Sequence, residues 1–509
     1  MSKVSEYIAS LRNQHMHIVG LSGIEGYAVA SFLVAHGIRN IVAHDFHSLE
    51  EFRREFTKLH LYLGRKQRKA ALDQLATWPI QIRYQGEYLQ GIESADLIYL
   101  SQNWFAHPCN EPLRPLVESG RVALSSLTKL YLQLAPCPVI GITGSLGKST
   151  TTQMAAEILM TFFQLNGSGR RVEVGGNDRR SGQALAELES LQPHDVLVLE
   201  MSNRQLRLDP ERSPHIGVLT NVLPNHLQEH DGFTGYREVK ERIFRYQSED
   251  DRSVFNADDP VSREIRSAYA NRAFSFSCEQ AVERGAYIFA DRILITDPDT
   301  SDEPRSVMKT TDLRLAGRHN LSNLLAALTA AYVHVLPTND ERQWHLFCEA
   351  AQTVARRFAG LPGRMEHVPS GDGVLYYYDI KSTTPHGTLA ALQTLVSLPK
   401  APERFMLIAG GDDKGLAYDE LAQAVIDHVS KVYLLPGAGS ERLRSAILAL
   451  QTGYPVTPVQ SLQEAWQAVQ TNKKAGDAIV LSPACPGFYS VYLAGTIGFK
   501  ELVNGLPAG

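Results

Sequence analysis

A short β-branched strand, Val139-Ile-Gly-Ile-Thr143, runs directly into Gly144-Ser-Leu-Gly-Lys-Ser-Thr150, and no other stretch limits the possible folds of this chain so tightly. A strand that feeds a glycine turn and then opens a helix near Lys148 belongs in a parallel α/β layer. The backbone N–H groups of such a turn can face phosphate oxygens, and the helix N-terminus adds its partial positive charge. Lys148 supplies a point charge to the β- and γ-phosphates, and the Ser149 hydroxyl can reach Mg²⁺. The pattern is G-x-x-G-K-S, one glycine short of the usual phosphate loop, because Ile occupies position 142. An ordinary strand-to-helix turn needs glycine only for its positive φ and has no use for Lys-Ser-Thr in this place.

Two further segments repeat the strand–turn–helix theme. Near the N-terminus, His17-Ile-Val-Gly-Leu-Ser-Gly-Ile-Glu-Gly26 leads into a helix to about Ala35 and a second strand from Asn40 to Ala43, with Asp45 at its end. A strand from Ala95 to Leu100 then enters the aromatic loop Gln102-Asn-Trp-Phe105. Beyond the Gly360-Leu-Pro-Gly-Arg364 turn, strands Val374–Asp379, Phe405–Ile408, Val432–Leu435 and Ala478–Leu481 alternate with helices, as in a doubly wound sheet. In the middle, strands Val196–Glu200 and His215–Thr220 join the phosphate-loop strand, and a helical stretch from Asn320 to Phe358 closes the region. The polar run Asp297-Pro-Asp-Thr-Ser-Asp-Glu-Pro304 reads as an exposed hairpin loop or a disordered insertion. The expected architecture is α/β with three domains: a Rossmann-like domain at 1–135, a P-loop ATPase-type domain at 136–358 and a second Rossmann-like domain at 359–509.

Composition removes several classes of function. Fifty Lys and Arg against 55 Asp and Glu give a net charge of −5, with the basic residues dispersed, so no nucleic-acid surface is expected. No stretch approaches the roughly 18 apolar residues of a spanning helix, and the charged N-terminus lacks the apolar core of a secretory signal. Five scattered cysteines without a C-x-x-C pair argue against a disulfide framework or structural zinc. A cytoplasmic enzyme, monomeric and without a membrane partner, is expected.

Carboxylate, imidazole and amine groups follow the phosphate loop in order. Glu200 ends the apolar strand Val196-Leu-Val-Leu199, where a carboxylate can hold Mg²⁺ or simply cap the next helix. His226 follows in Thr220-Asn-Val-Leu-Pro-Asn-His226, and Lys240 sits in Tyr236-Arg-Glu-Val-Lys-Glu-Arg-Ile243, flanked by Glu238 and Glu241 as a solvated helical lysine would be. In this order, Gly144–Ser149, Glu200–Leu206, Thr220–His226 and Tyr236–Ile243 resemble the Mur ligases, the ATP-dependent enzymes that elongate the peptide of peptidoglycan precursors. Ala316-Gly-Arg-His-Asn320, Gly360–Glu366, Asp379-Ile-Lys-Ser-Thr383, Gly410-Gly-Asp-Asp-Lys-Gly415, Gly175-Gly-Asn177 and Leu481-Ser-Pro-Ala-Cys485 extend the resemblance over nearly the whole chain. Two positions depart from it: Asn225 stands for the family's Asp, and Gly363 for its His.

The resemblance implies an amide ligase that forms an acyl phosphate, with ATP as co-substrate and Mg²⁺ as cofactor. By the same resemblance, Gly144, Ser145, Leu146, Gly147, Lys148, Ser149, Thr150, Asn320, Arg364 and Asp379 bind ATP. Ser149, Glu200, His226 and a carbamylated Lys240 hold Mg²⁺. Lys148, Glu200, His226, Lys240 and Lys381 are the expected catalytic residues. The N-terminal domain is expected to take a UDP-sugar-peptide through Ser22, Gly23, Asp45 and Asn177, and the incoming amino acid would meet Thr383, Lys414 and Ser482. Closure about the Gly360–Arg364 turn would assemble the site. The implied acceptor is UDP-N-acetylmuramoyl-L-alanine and the implied amino acid is glutamate, with the D form favoured. That reaction belongs to peptidoglycan synthesis and so to cell wall biogenesis, cell shape and cell division.

Both substrate ends depart from the D-glutamate-adding members. These commonly carry Thr-Arg after the second strand's Asp and S-P-G after the later strand, where this chain has Phe46-His47 and Ser101-Gln-Asn103, leaving Arg39 or Arg114 to supply the charge. After Cys485 they continue Ala-Ser and later show F-x-x-R-G, where this chain has Pro486-Gly-Phe-Tyr-Ser490 and Ala494-Gly-Thr-Ile-Gly498. Losing a carboxylate partner costs roughly 1.5–3 kcal/mol of binding, which Ser490 or Tyr489 would have to replace. L-glutamate, another amino acid, a folylpolyglutamate-synthase-like acceptor and a non-catalytic paralogue therefore stay open. A nicotinamide oxidoreductase rests only on the Gly20–Gly26 turn and Asp45.

Overall fold

Three mainly parallel sheets carry the chain in the computed structural model, which describes residues 2–177, 184–270, 273–335, 340–398, 400–402, 404–487 and 498–505. The first has five strands in the order Gln81–Arg83, Ile41–His44, Met16–Val19, Leu97–Leu100, Ala123–Ser125, all parallel. Its three central strands are buried along their whole length, which is why they read as continuous apolar runs rather than alternating ones. Strand order reverses between Met16–Val19 and Leu97–Leu100, and a crevice forms beyond their carboxyl ends, as open α/β sheets require.

The second sheet has nine strands. From one edge they run Val172–Gly176, Val196–Glu200, Val139–Thr143, Ile216–Leu219, Arg252–Asn256, Ala273–Ser277, Gly285–Phe289, Arg292–Asp297 and Ser301–Lys309. The pairs are parallel as far as Gly285–Phe289, which meets Arg292–Asp297 antiparallel. Because Val139–Thr143 lies between Val196–Glu200 and Ile216–Leu219, three loops emerge side by side at the carboxyl ends. They are the glycine loop, the segment after Glu200, and Thr220-Asn221. Of the two readings of Asp297–Pro304, the structure has the hairpin: 298–300 form its turn, and its outer strand, Ser301–Lys309, takes up the rest of the polar run. Ser301–Lys309 runs at the sheet edge, the place where a strand tolerates a proline such as Pro304.

The third sheet runs Glu366–Val368, Leu375–Tyr378, Ala478–Leu481, Phe405–Gly410, Val429–Leu435, Val456–Pro458, with only the first strand antiparallel. Its alternate residues feed two cores: Phe405, Leu407 and Ala409 pack on one face, and Met406 and Ile408 on the other. The expected helical stretch from Asn320 to Phe358 consists of helices Arg318–Val335 and Glu341–Arg357.

These elements form two compact units. The first holds residues 1–222, 237–308 and 324–354 and contains the five- and nine-stranded sheets; the second holds 223–236, 309–323 and 355–509. Among the described residues, no helix is long and apolar enough to cross a membrane.

Candidate active site

In the first unit the glycine loop is built on close backbone contact. At Gly144 (φ +149°) an added Cβ would stand 1.9 Å from the Thr220 hydroxyl, so no other residue fits there. Thr220 and Asn221 hold the loop: Ser145 N–H donates to Asn221 O (3.0 Å), Leu146 N–H to Asn221 Oδ1 (2.9 Å), and Thr220 Oγ1 to Leu146 O (2.6 Å). The sequence pattern suggested that all loop N–H groups face phosphate; two of them are instead committed to Asn221. Helix Lys148–Leu165 starts immediately after Gly147, so Lys148, Ser149 and Thr150 lie in its first turn. Lys148 Nζ crosses the loop to Gly144 O (2.8 Å) and Ser145 O (3.0 Å).

Glu200 is 3% exposed and stands at the neighbouring strand end. It does not cap the following helix, Asn203–Arg207, whose cap is Ser202 with Gln205 completing the box. Its Oε1 accepts from Asn177 Nδ2 at 2.8 Å, and Asn177 N–H donates to Glu200 O, also at 2.8 Å. This approach depends on Gly176 (φ +89°), where a Cβ would lie 2.2 Å from Glu200 O.

Lys240 is not a solvated lysine. It is fully buried, with Nζ donating to Thr143 Oγ1 (3.1 Å) and Gly144 O (2.9 Å). Burial above all, and then the nearby Lys148 charge, hold its amine well below the ordinary lysine range, against the opposing pull of Glu200. A lysine so placed favours the neutral amine, which is the form that adds CO₂.

Beyond the carboxyl ends of the five-stranded sheet lies a cavity of about 250 Å³, lined by Ser22, Gly23, Glu25, Gln102 and Asn177 among others. Phe46, Tyr88, Trp104 and His107 give it an aromatic side, with Phe46 and His107 stacked at 4.0 Å. Asp45 is buried behind this surface. Its Oδ2 accepts from Ser22 N–H (2.7 Å), and its Oδ1 meets the ring Nδ1 of His47 (2.7 Å). The carboxylate therefore shapes Ser22 and His47, and a dinucleotide ribose would find it already bonded. Arg39 bonds to Val34 O and Ile38 O, and Arg114 to Glu111; neither is among the described lining residues.

The second unit gathers a different group at the carboxyl ends of its sheet. Asp379 is buried, and burial pushes its carboxyl up to about 6 despite hydrogen bonds from Ser382, Ser482 and Met365 N–H. Ser482 Oγ donates to Asp379 Oδ2 (2.8 Å) and pairs with Thr388 Oγ1 (2.7 Å). Ser482 thus fixes Asp379 from below. The Arg364 charge acts on both Asp379 and the half-buried His319, and Asn320 Nδ2 donates to Ala316 O (2.7 Å). Lys381 N–H bonds to Gly363 O (3.1 Å). Lys414 Nζ donates to Asn225 Oδ1 and Thr383 Oγ1, each at 3.3 Å, which joins the departing position 225 to two of the three expected amino-acid contacts. His226 adopts a left-handed conformation (φ +53°), uncommon for a non-glycine residue, and its Nδ1 meets Glu229 Oε1 at 2.9 Å. Tyr489 and Ser490 lie outside the described residues.

Sequence reading missed Glu25, Gln102, Gln205 and Asn221 as parts of these sites. Asn221 could have been found, because it follows Thr220 in the same motif. Nothing local marks Gln102, whose role comes from partners distant in sequence.

The Mur ligase middle domain model matches residues 142–331, and the Mur ligase glutamate ligase domain model matches residues 363–485. A UDP-N-acetylmuramoylalanine–D-glutamate ligase of Symbiobacterium thermophilum is 34% identical over 96% of this chain and 97% of its own length. A protein of the same name from Caldanaerobacter subterraneus subsp. tengcongensis is 32% identical over 93% of this chain and 94% of its own. In fold, the chain is similar to a pseudomurein peptide ligase type C from Methanothermus fervidus, with a TM-score of 0.51, 18% identity and coverage of 92% of this chain and 96% of that one. It is similar in the same way to a MurF ligase from Thermotoga maritima, with a TM-score of 0.51, 17% identity and coverage of 90% and 88%.

Proposed function

Because the chain belongs to the Mur ligase family and is an ATP-dependent amide ligase of peptidoglycan synthesis, we propose that it joins D-glutamate to UDP-N-acetylmuramoyl-L-alanine through an acyl phosphate. The observation that carries this reading is the convergence of Lys148, Glu200 and buried Lys240 around one glycine loop.

The γ-phosphoryl group passes from ATP to an oxygen of the acceptor carboxylate, and ADP departs. The amine of the amino acid attacks the acyl carbon, phosphate leaves, and the amine's proton goes to solvent as the amide closes. Neither step needs a protein nucleophile; both need charge neutralised and atoms aligned. Lys148 neutralises the transferring phosphoryl group, and the N–H groups of the helix's first turn receive its oxygens. Ser149 and the Asn177-anchored Glu200 offer hard oxygen donors suited to Mg²⁺, which when bound supplies counter-charge to the phosphates. The neutral amine of Lys240 would add CO₂ and release a proton, so that a cation beside Lys148 would become an anion with the charge that a second ion needs. In the second unit we assign Asn320, Arg364 and Asp379 to ATP, Lys381 to the acyl phosphate, and Thr383 and Lys414 to the amino acid, with Ser482 holding Asp379. The aromatic cavity takes the uracil and sugar, with Ser22, Gly23 and Asn177 as its polar contacts and Asp45 behind them. ATP and a nucleotide-sugar substrate place the reaction in the cytoplasm, and the chain acts as a monomer.

Labelling tests the intermediate. With ¹⁸O in the acceptor carboxylate, one labelled oxygen is expected in each phosphate released; unlabelled phosphate from a productive turnover would rule out the acyl phosphate.

A further inference from the structure

The N-terminal cavity and Glu200 are joined by an unbroken line of oriented side chains. Glu25, buried in the cavity wall, accepts from Gln102 N–H (2.7 Å) and from Gln205 Nε2 (2.8 Å). Ser202 Oγ takes the Gln205 N–H (3.1 Å) and donates its own proton to Gln102 Oε1 (2.7 Å). That fixes the Gln102 amide, so Nε2 faces Asn177 Oδ1 at 3.1 Å. Asn177 is oriented in turn, and its Nδ2 donates to Glu200 Oε1 at 2.8 Å. Glu25, Gln102 and Asn177 all line the cavity, so whatever fills it touches this line directly.

We propose that Gln102 is a positioning residue that passes occupancy of the N-terminal cavity to Glu200, so that the nucleotide-sugar end of the substrate tightens the metal–nucleotide end. The inference rests on the reading of Glu200 as a metal holder and of the cavity as the UDP site. Amides that orient a metal-holding carboxylate act by fixing its rotamer and its lone pairs. A ligand that makes the cavity wall rigid removes freedom from the same line, and by linkage the effect is reciprocal.

Gln102→Ala keeps the backbone N–H that Glu25 holds and removes both side-chain bonds. Gln102→Glu is isosteric and keeps an acceptor for Ser202, but turns an acceptor towards Asn177. The Asn177 amide then reverses and presents its oxygen to Glu200. The two variants therefore separate orientation from packing. In ADP-saturated full-length protein titrated calorimetrically with Mg²⁺, affinity is expected to fall about tenfold in Gln102→Ala and further in Gln102→Glu. Addition of UDP should raise Mg²⁺ affinity several-fold in the unaltered chain and in neither variant. A merely structural role predicts a lower unfolding temperature with Mg²⁺ affinity of the folded protein unchanged. If Glu200→Ala loses Mg²⁺ while both Gln102 variants bind it normally, the positioning role is overturned and the metal reading stands. If Glu200→Ala also binds normally, both fall.

Discussion

Lys148→Ala is expected to reduce ATP-dependent phosphate release by about a thousandfold or more, while leaving the unfolding temperature within a few degrees. Removing a single donor aimed at developing charge typically costs about 10²–10³ in rate. Lys148 contributes a full charge, and it also acts on a second group. Its proximity is one of the forces that hold the Lys240 amine below the ordinary lysine range, so its removal lets that amine hold its proton more firmly. A protonated Lys240 cannot add CO₂ and leaves a cation where the mechanism needs an anion. The variant should therefore show less carbamate as well as slower turnover, measured by ¹³C NMR in labelled bicarbonate beside the phosphate assay. Turnover near the original rate would remove the glycine loop from the chemistry.

Lys240→Met is expected to cost about the same activity while leaving the protein as stable as before or more so. The side chain is fully buried, and burying a charge or an amine is expensive unless its partners repay the lost hydration. Methionine has similar length, no desolvation cost and no capacity to form a carbamate. The variant should unfold at the same or a higher temperature and show activity lower by about 10³, a loss comparable to removing one essential electrostatic group. The unaltered chain should lose activity in CO₂-depleted buffer, recover it with bicarbonate, and give a carbamate carbon signal absent from the variant. An active Lys240→Met enzyme would show that the buried amine is structural. Coupling between activity and CO₂ in the parent chain alone separates the carbamate from any other use of Lys240.

The phosphate-loop strand, the strand that ends at Glu200 and the third sheet were legible because each is a short apolar strand or a spaced motif that carries its own physical signature. The alternation of Phe405–Gly410 between two cores and the uninterrupted burial of Val196–Glu200 are patterns of that kind. Strands Arg252–Asn256, Ala273–Ser277 and Gly285–Phe289 were not anticipated. Each is short, with polar residues such as Ser253 and Ser275 buried by tertiary contact rather than by their own hydrophobicity. The burial of Lys240 was also hidden, since its neighbours Glu238 and Glu241 give the helix a solvated look while position 240 turns inward. Asp45 and Ser482 were legible as polar residues at strand ends. Their bonds to Ser22, His47 and Asp379 are set by register and packing, which spacing alone does not reveal. The line from Glu25 to Glu200 joins residues from four separate segments, and only the fold brings them together.

Phosphate release from ATP, with mass analysis of the product, tests the central claim most directly when run with UDP-N-acetylmuramoyl-L-alanine and a panel of D- and L-amino acids. The account predicts turnover with D-glutamate and a product heavier by one glutamyl residue, which would mean that this chain's altered C-terminal segment rebuilds the carboxylate contacts. Bound ATP without turnover of this acceptor with any amino acid on the panel would contradict it.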